Sequence, residues 1–151
     1  KLKNFLPEIF MILIFLQIIF GAFVSGMDAG KIYNTWPLMG NSYFPNDNKI
    51  INLFKFSALS DASLVQYLHR NIAYLIFILY IIITLTVYKN KIVILFKPIL
   101  ILGFVVSLQI FLGILTLLSG AGILISSLHQ FSSILLVTAS LYFLYRNKFS
   151  F

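Results

Sequence analysis

The chain has 151 residues, of which 60% are hydrophobic and only 10% charged, and its mean hydropathy is +0.99. A soluble domain carries roughly 25% charged and 45–50% apolar residues, so an ordinary water-soluble globule is excluded, and so is disorder, which needs low hydrophobicity and high charge. The absence of cysteine excludes disulfides, thiolate-bound metals and iron–sulfur clusters, and the net charge of +7 sits at the ends of apolar runs, where it sets membrane topology rather than implying a nucleic-acid partner.

Four apolar runs are long enough to cross the roughly 30 Å hydrocarbon layer as helices, which takes about 20 residues. They cover about residues 9–26, 64–88, 98–118 and 122–145. The first is broken only by Gln17 and Ser25; the second opens on Gln66, His69, Arg70 and Asn71; the third begins at Pro98, where a first helical turn tolerates a missing N–H. None alternates as barrel strands do, and lipid offers the backbone no partners, so helices are the default. The reading is all-α: a single integral membrane domain, residues 1–151, built as a four-helix transmembrane bundle with membrane lipid around it. One long outer loop, residues 27–63, joins the first two spans.

Basic residues give the orientation. Lys1 and Lys3 precede the first span, Lys89, Lys91 and Lys97 lie between the second and third, and Arg146 and Lys148 follow the fourth. The long loop instead balances Lys31, Lys49 and Lys55 with Asp28, Asp47 and Asp61. By the positive-inside rule both termini face the cytoplasm or matrix and the loop faces the other side. Within the loop, residues 49–56 place Ile50, Leu53 and Phe54 opposite Asn52 and Lys55, the pattern of a membrane-hugging connector or a short interfacial helix. No secretory cleavage pattern ends the first run. The chain starts with Lys rather than Met, and the expectation is a fragment of something longer.

The most informative feature is self-similarity. Leu16-Gln-Ile-Ile-Phe-Gly21 returns as Leu108-Gln-Ile-Phe-Leu-Gly113, Ala29-Gly30 as Ala121-Gly122, Leu68-His69-Arg70 as Leu128-His129-Gln130, and Tyr88-Lys-Asn-Lys91 as Tyr145-Arg-Asn-Lys148. The chain reads as two tandem parallel helix-pair repeats related by an axis along the membrane normal. His69 and His129 are its only histidines. Each lies roughly 9–10 Å below the outer end of its span, on helices running the same way. Two level imidazoles on diagonal helices are the donors that six-coordinate haem iron requires. A lone intramembrane histidine is otherwise a hydrogen-bonded core residue or a proton-relay member; zinc or copper would want three or four donors, which the chain lacks.

Residues around the pair fit the same idea. Ser126, His129, Ser133, Val137 and Ser140 make a small-residue face on the fourth span, and Gln66, His69, Ala73 and Phe77 share a face on the second. Gln17, Gly21, Gln109 and Gly113 read first as helix packing. Arg70, one turn inside the membrane, needs a partner: haem propionates, Asp61, Asp28, or the interface reached by snorkelling.

Three stretches then carry a resemblance. Gly21-Ala-Phe-Val-Ser-Gly-Met-Asp-Ala-Gly30, Ile32-Tyr-Asn-Thr-Trp-Pro-Leu-Met-Gly40 and Val65-Gln-Tyr-Leu-His-Arg-Asn-Ile-Ala-Tyr74, with Leu112-Gly-Ile-Leu-Thr-Leu-Leu118 and Leu128-His-Gln130 further on, closely resemble the C-terminal four-helix half of the haem A synthase family. The resemblance covers essentially the whole chain. It implies an oxidoreductase that converts the C8 methyl of haem O to the formyl of haem A for terminal oxidases, in a bacterial plasma membrane or a mitochondrial inner membrane. It implies that this half holds a bis-His haem b with iron ligands His69 and His129, and Arg70, Gln66 and Gln130 beside the cofactor. The family's catalytic half carries an acidic residue in its first outer loop; this chain has Glu8 only on the inner side, so no catalytic residue is assigned within it. A companion N-terminal half or a second copy is then the expected partner. The rival readings are a stand-alone bis-His b-type membrane cytochrome and a scaffold without haem.

Overall fold

The computed structural model describes residue 2 and residues 5–149; Lys1 and Lys3, used above for orientation, lie outside them. Helices α1 (Leu6–Gly26), α2 (Ala62–Lys89), α3 (Phe96–Leu118) and α4 (Ile123–Lys148) are, among the described residues, the four long and apolar enough to span a membrane. No β-strand forms among those residues, and only an isolated bridge joins Met39 to Ser42.

Each helix extends past its apolar run, and local chemistry explains where it starts. Pro7 occupies the first turn of α1, where its missing N–H goes unnoticed. Asp61 begins α2 by accepting the backbone N–H groups of Ser63 and Leu64, each at 3.1 Å. Partial burial pushes the Asp61 carboxyl up, but hydrogen bonds from Asn48, the Leu64 N–H and Ser63 outweigh it and hold the group below the usual carboxylate range. A 3-10 turn at Val93–Leu95 leads into α3, with Pro98 in its first turn. The tight α3–α4 connection places Gly120 and Ala121 in the left-handed region.

The helices form a ring. α1 packs mainly on α2 and α3 mainly on α4, while smaller α1–α4 and α2–α3 contacts close the bundle, so α2 and α4 face each other diagonally. At the end bearing the termini the interior is filled by apolar side chains, among them Phe10 and Ile14 of α1, Ile76 and Ile83 of α2, Leu102 and Val106 of α3, and Leu136 and Phe143 of α4. This packing stops partway. Ile14 is the last buried residue of α1, Val106 the last of α3, and Ser132 the first of α4. Toward the loop end the inward-facing Gln17, Gly21, Gln109, Gly113 and both histidines are only half-buried. On α2 the pattern differs, since Ser63, Leu64, Val65 and Gln66 are buried at the loop end together with Ala29, Met39 and Ala58 of the connector.

The connector from α1 to α2 packs on the loop end of the bundle. Tyr67 of α2 packs edge-on against Tyr43 and Phe44, and Tyr43 donates to the Asn71 amide oxygen at 2.5 Å. Asn34 donates to the carbonyls of Gly30 (2.7 Å) and Leu117 (3.0 Å), tying the loop to the end of α3. Residues 50–60 form two successive 3-10 turns rather than one amphipathic helix, leaving Ile50, Ile51, Phe54 and Phe56 exposed.

Candidate functional site

His69 and His129 both lie toward the loop end, each about two helical turns from the start of its own helix, or ~10 Å. Each ring rests on a glycine of the preceding helix. A Cβ built on Gly21 would stand 3.2 Å from His69 Cε1, and one on Gly113 would stand 3.0 Å from His129 Cε1. The two glycines, read in the sequence as packing positions, are thus the surfaces against which the imidazoles lie. Each ring keeps a buried Nδ1 without a hydrogen-bond partner. Nitrogens of this kind are costly to bury unless something takes them up.

The two glutamines one turn before those glycines behave differently. Gln17 Nε2 lies 3.1 Å from His69 Nε2. Gln109 Nε2 instead donates to the His129 backbone carbonyl at 3.2 Å, and its Oε1 accepts from the Ser132 hydroxyl. The Ser132 oxygen also lies 2.9 Å from the His129 carbonyl, an alternative acceptor for its single O–H.

Arg70 does not reach a carboxylate: Asp28 pairs with Lys31 at 2.7 Å, and Asp61 caps α2. Its guanidinium donates to three loop carbonyls, Tyr33 at 2.9 Å, Thr35 at 2.9 Å and Leu38 at 3.3 Å, while its Nε stays buried and unpartnered. Gln66 donates to the same Tyr33 carbonyl at 3.1 Å, and its Oε1 is likewise buried without a partner. Gln130 is exposed, and its backbone carbonyl accepts from Ser133 at 2.6 Å. The hydroxyls of Ser126 and Thr116, also toward the loop end, are buried and unpaired. Sequence reasoning missed the loop carbonyls that meet Arg70, because every residue carries a carbonyl and none marks itself in the sequence.

Among the described residues no three His, Cys, Asp or Glu side chains gather as a metal group. What the loop end offers is two nitrogen donors on diagonal helices, with unpaired polar atoms close by.

Comparison with known proteins agrees with the family resemblance read from the sequence. The COX15-CtaA family, described as cytochrome oxidase assembly protein, matches residues 4–141. The haem A synthase of Pelagibacter ubique (strain HTCC1062) is 42% identical over 152 residues, covering 98% of this chain and 45% of that protein. That of Wolbachia pipientis wMel is 42% identical over 136 residues, covering 90% and 37% respectively. That of Rickettsia prowazekii (strain Madrid E) is 36% identical over 137 residues, covering 89% and 41%. The chain thus spans less than half the length of these curated relatives. No solved structure matches it. With four helices among the described residues long and apolar enough to span a membrane and a family match over nearly its whole length, the chain is an integral membrane protein of the COX15-CtaA cytochrome oxidase assembly family.

Proposed function

We propose that this chain is the cofactor-holding portion of a haem A synthase, with His69 and His129 as the residues that would hold the iron of a haem b. One observation carries the reading: the two imidazoles stand on diagonal helices, each laid on a glycine and each with a buried nitrogen lacking a partner. The residues present fit such a group. Iron in a porphyrin needs only two further donors, matching a site with two histidines and no third ligand. The unpaired Arg70 Nε and Gln66 Oε1 are polar atoms available to propionates near the loop end.

When bound, haem b supplies one-electron transfer. The chain's own residues do the rest: Gly21 and Gly113 set how close each imidazole lies to the neighbouring helix, and Arg70 with Gln66 fastens the Tyr33–Leu38 segment over the loop end, which limits water. Oxidation of the haem O methyl to the haem A formyl is assigned to a companion portion, an N-terminal half or a second copy, because no catalytic residue is assigned here. Lys89, Lys91, Lys97, Arg146 and Lys148 all lie toward the termini end, which supports placing that end on the cytoplasmic side, and the relatives named above support a bacterial plasma membrane.

The test is to express the full open reading frame in cells that accumulate haem O and to extract their haems. Haem A should appear with the native sequence and vanish with His69→Ala or His129→Ala. Undiminished haem A in both variants would overturn the proposal.

A further inference from the structure

The two histidine environments share a sequence pattern but not a hydrogen-bond pattern, and one substitution explains the difference. Gln17 and Gln109 occupy equivalent positions, as do Gly21 and Gly113 and the histidines themselves. Three residues beyond each histidine the equivalence breaks: Ile72 follows His69, whereas Ser132 follows His129. Ser132 donates to Gln109 Oε1, and Gln109 Nε2 is spent on the His129 carbonyl, so Gln109 is held on the α4 backbone. Ile72, 8% exposed in the apolar core, offers nothing to Gln17, and the Gln17 amide goes to the His69 ring instead.

We infer that Gln17 is a positioning residue for His69, making the two imidazoles unequal donors, while Ser132 keeps Gln109 away from His129. This rests on the haem reading above and goes beyond it. A hydrogen bond at one ring nitrogen decides which nitrogen carries the proton and strengthens the other as a donor. The assignment of amide oxygen and nitrogen is interchangeable at this contact. Turning the Gln17 amide lets its Oε1, otherwise buried and unpartnered, accept from the His69 N–H. With the unpartnered Nδ1 of His69 as the donor to iron, the ring proton sits on Nε2, and the atom of Gln17 facing it is then the acceptor oxygen. Such a ring is the more basic ligand and favours ferric iron. His129 has no such acceptor, because its glutamine is already engaged.

The experiment is a redox titration, followed optically, of the haem-loaded chain in detergent. Wild type is compared with Gln17→Leu, Gln17→Glu and Gln109→Leu. Loss of the acceptor in Gln17→Leu should raise the midpoint potential, and the stronger acceptor in Gln17→Glu should lower it. Gln109→Leu should leave it where it was. A purely structural role for Gln17 would not give shifts of opposite sign. The inference is overturned if both Gln17 variants shift the same way, or if Gln109→Leu shifts as far as Gln17→Leu. Should Gln17→Leu not retain haem, Gln17→Glu decides alone: a lowered midpoint supports the inference, and an unchanged or raised one overturns it. A wild-type chain that binds no haem overturns the parent reading and this one together, whereas a loaded chain without these shifts overturns this one only.

Discussion

Gly113→Ala makes the sharpest structural prediction. Its new Cβ would sit 3.0 Å from His129 Cε1 and 3.6 Å from each ring nitrogen, against an ordinary carbon–carbon contact of about 3.5–4.0 Å. The imidazole must therefore withdraw by roughly 0.5–1 Å. The backbone of α4 is poorly placed to follow, because the His129 carbonyl is tied to Gln109, which Ser132 holds in turn. Overpacking of this kind costs about 1–3 kcal/mol. Replacing an interior helical glycine by alanine returns about 0.5–1 kcal/mol, so the net loss should be on the order of 0.5–2 kcal/mol. Thermal unfolding in detergent measures it, and haem content after purification reports the displaced ligand. Gly21→Ala should follow the same course more mildly, its contact being 3.2 Å, and Gly26→Ala, with nothing within 4 Å, should be neutral or stabilising. If Gly113→Ala matches Gly26→Ala in both melting and haem content, the view of these glycines as seats for the imidazoles is wrong.

Two further predictions concern the loop end. Arg70→Ala removes the donors to the Tyr33, Thr35 and Leu38 carbonyls, so hydrogen exchange at the Met39 and Gly40 amides, now bonded to Ser42 O and Thr35 Oγ1 at 2.8 Å each, should speed up by about 10- to 100-fold while α3 amides are unaffected. Unchanged exchange would show that the loop is held by other contacts. Asp61→Ala should cost about 1 kcal/mol through loss of the α2 cap. Because the Asp61 carboxyl is held below its ordinary value of 3.8, its contribution is fully present above that pH and is lost as pH falls through the folded value. Asp61→Ala should therefore show a flatter fall in melting temperature below about pH 4 than wild type, and parallel curves would contradict the assignment.

Much of the architecture was legible from length and hydropathy alone, because lipid leaves the backbone few options. The helix ends were less so: Pro7 and Asp61 set them by capping chemistry that extends beyond the apolar runs. The two histidines could be singled out from the self-similar sequence, and Gly21 and Gly113 could be found at matching positions even though their contact with the rings could not. The loop contacts of Arg70 were hidden, since its acceptors are backbone oxygens. The divergence of Gln17 from Gln109 was hidden too: both sit in near-identical sequence, and their partners depend on whether Ile72 or Ser132 lies across the helix contact. Residues 50–60 took the tighter 3-10 form, with a backbone break at Lys55 between the two turns.

The most direct test of the central claim is near-infrared magnetic circular dichroism of the purified ferric chain, combined with a haem-to-protein ratio. Two imidazole ligands to low-spin iron at one haem per chain, lost in His69→Ala and in His129→Ala alike, is the predicted result. Haem retained with an unaltered spectrum after either substitution, or no haem in the native chain, would contradict it.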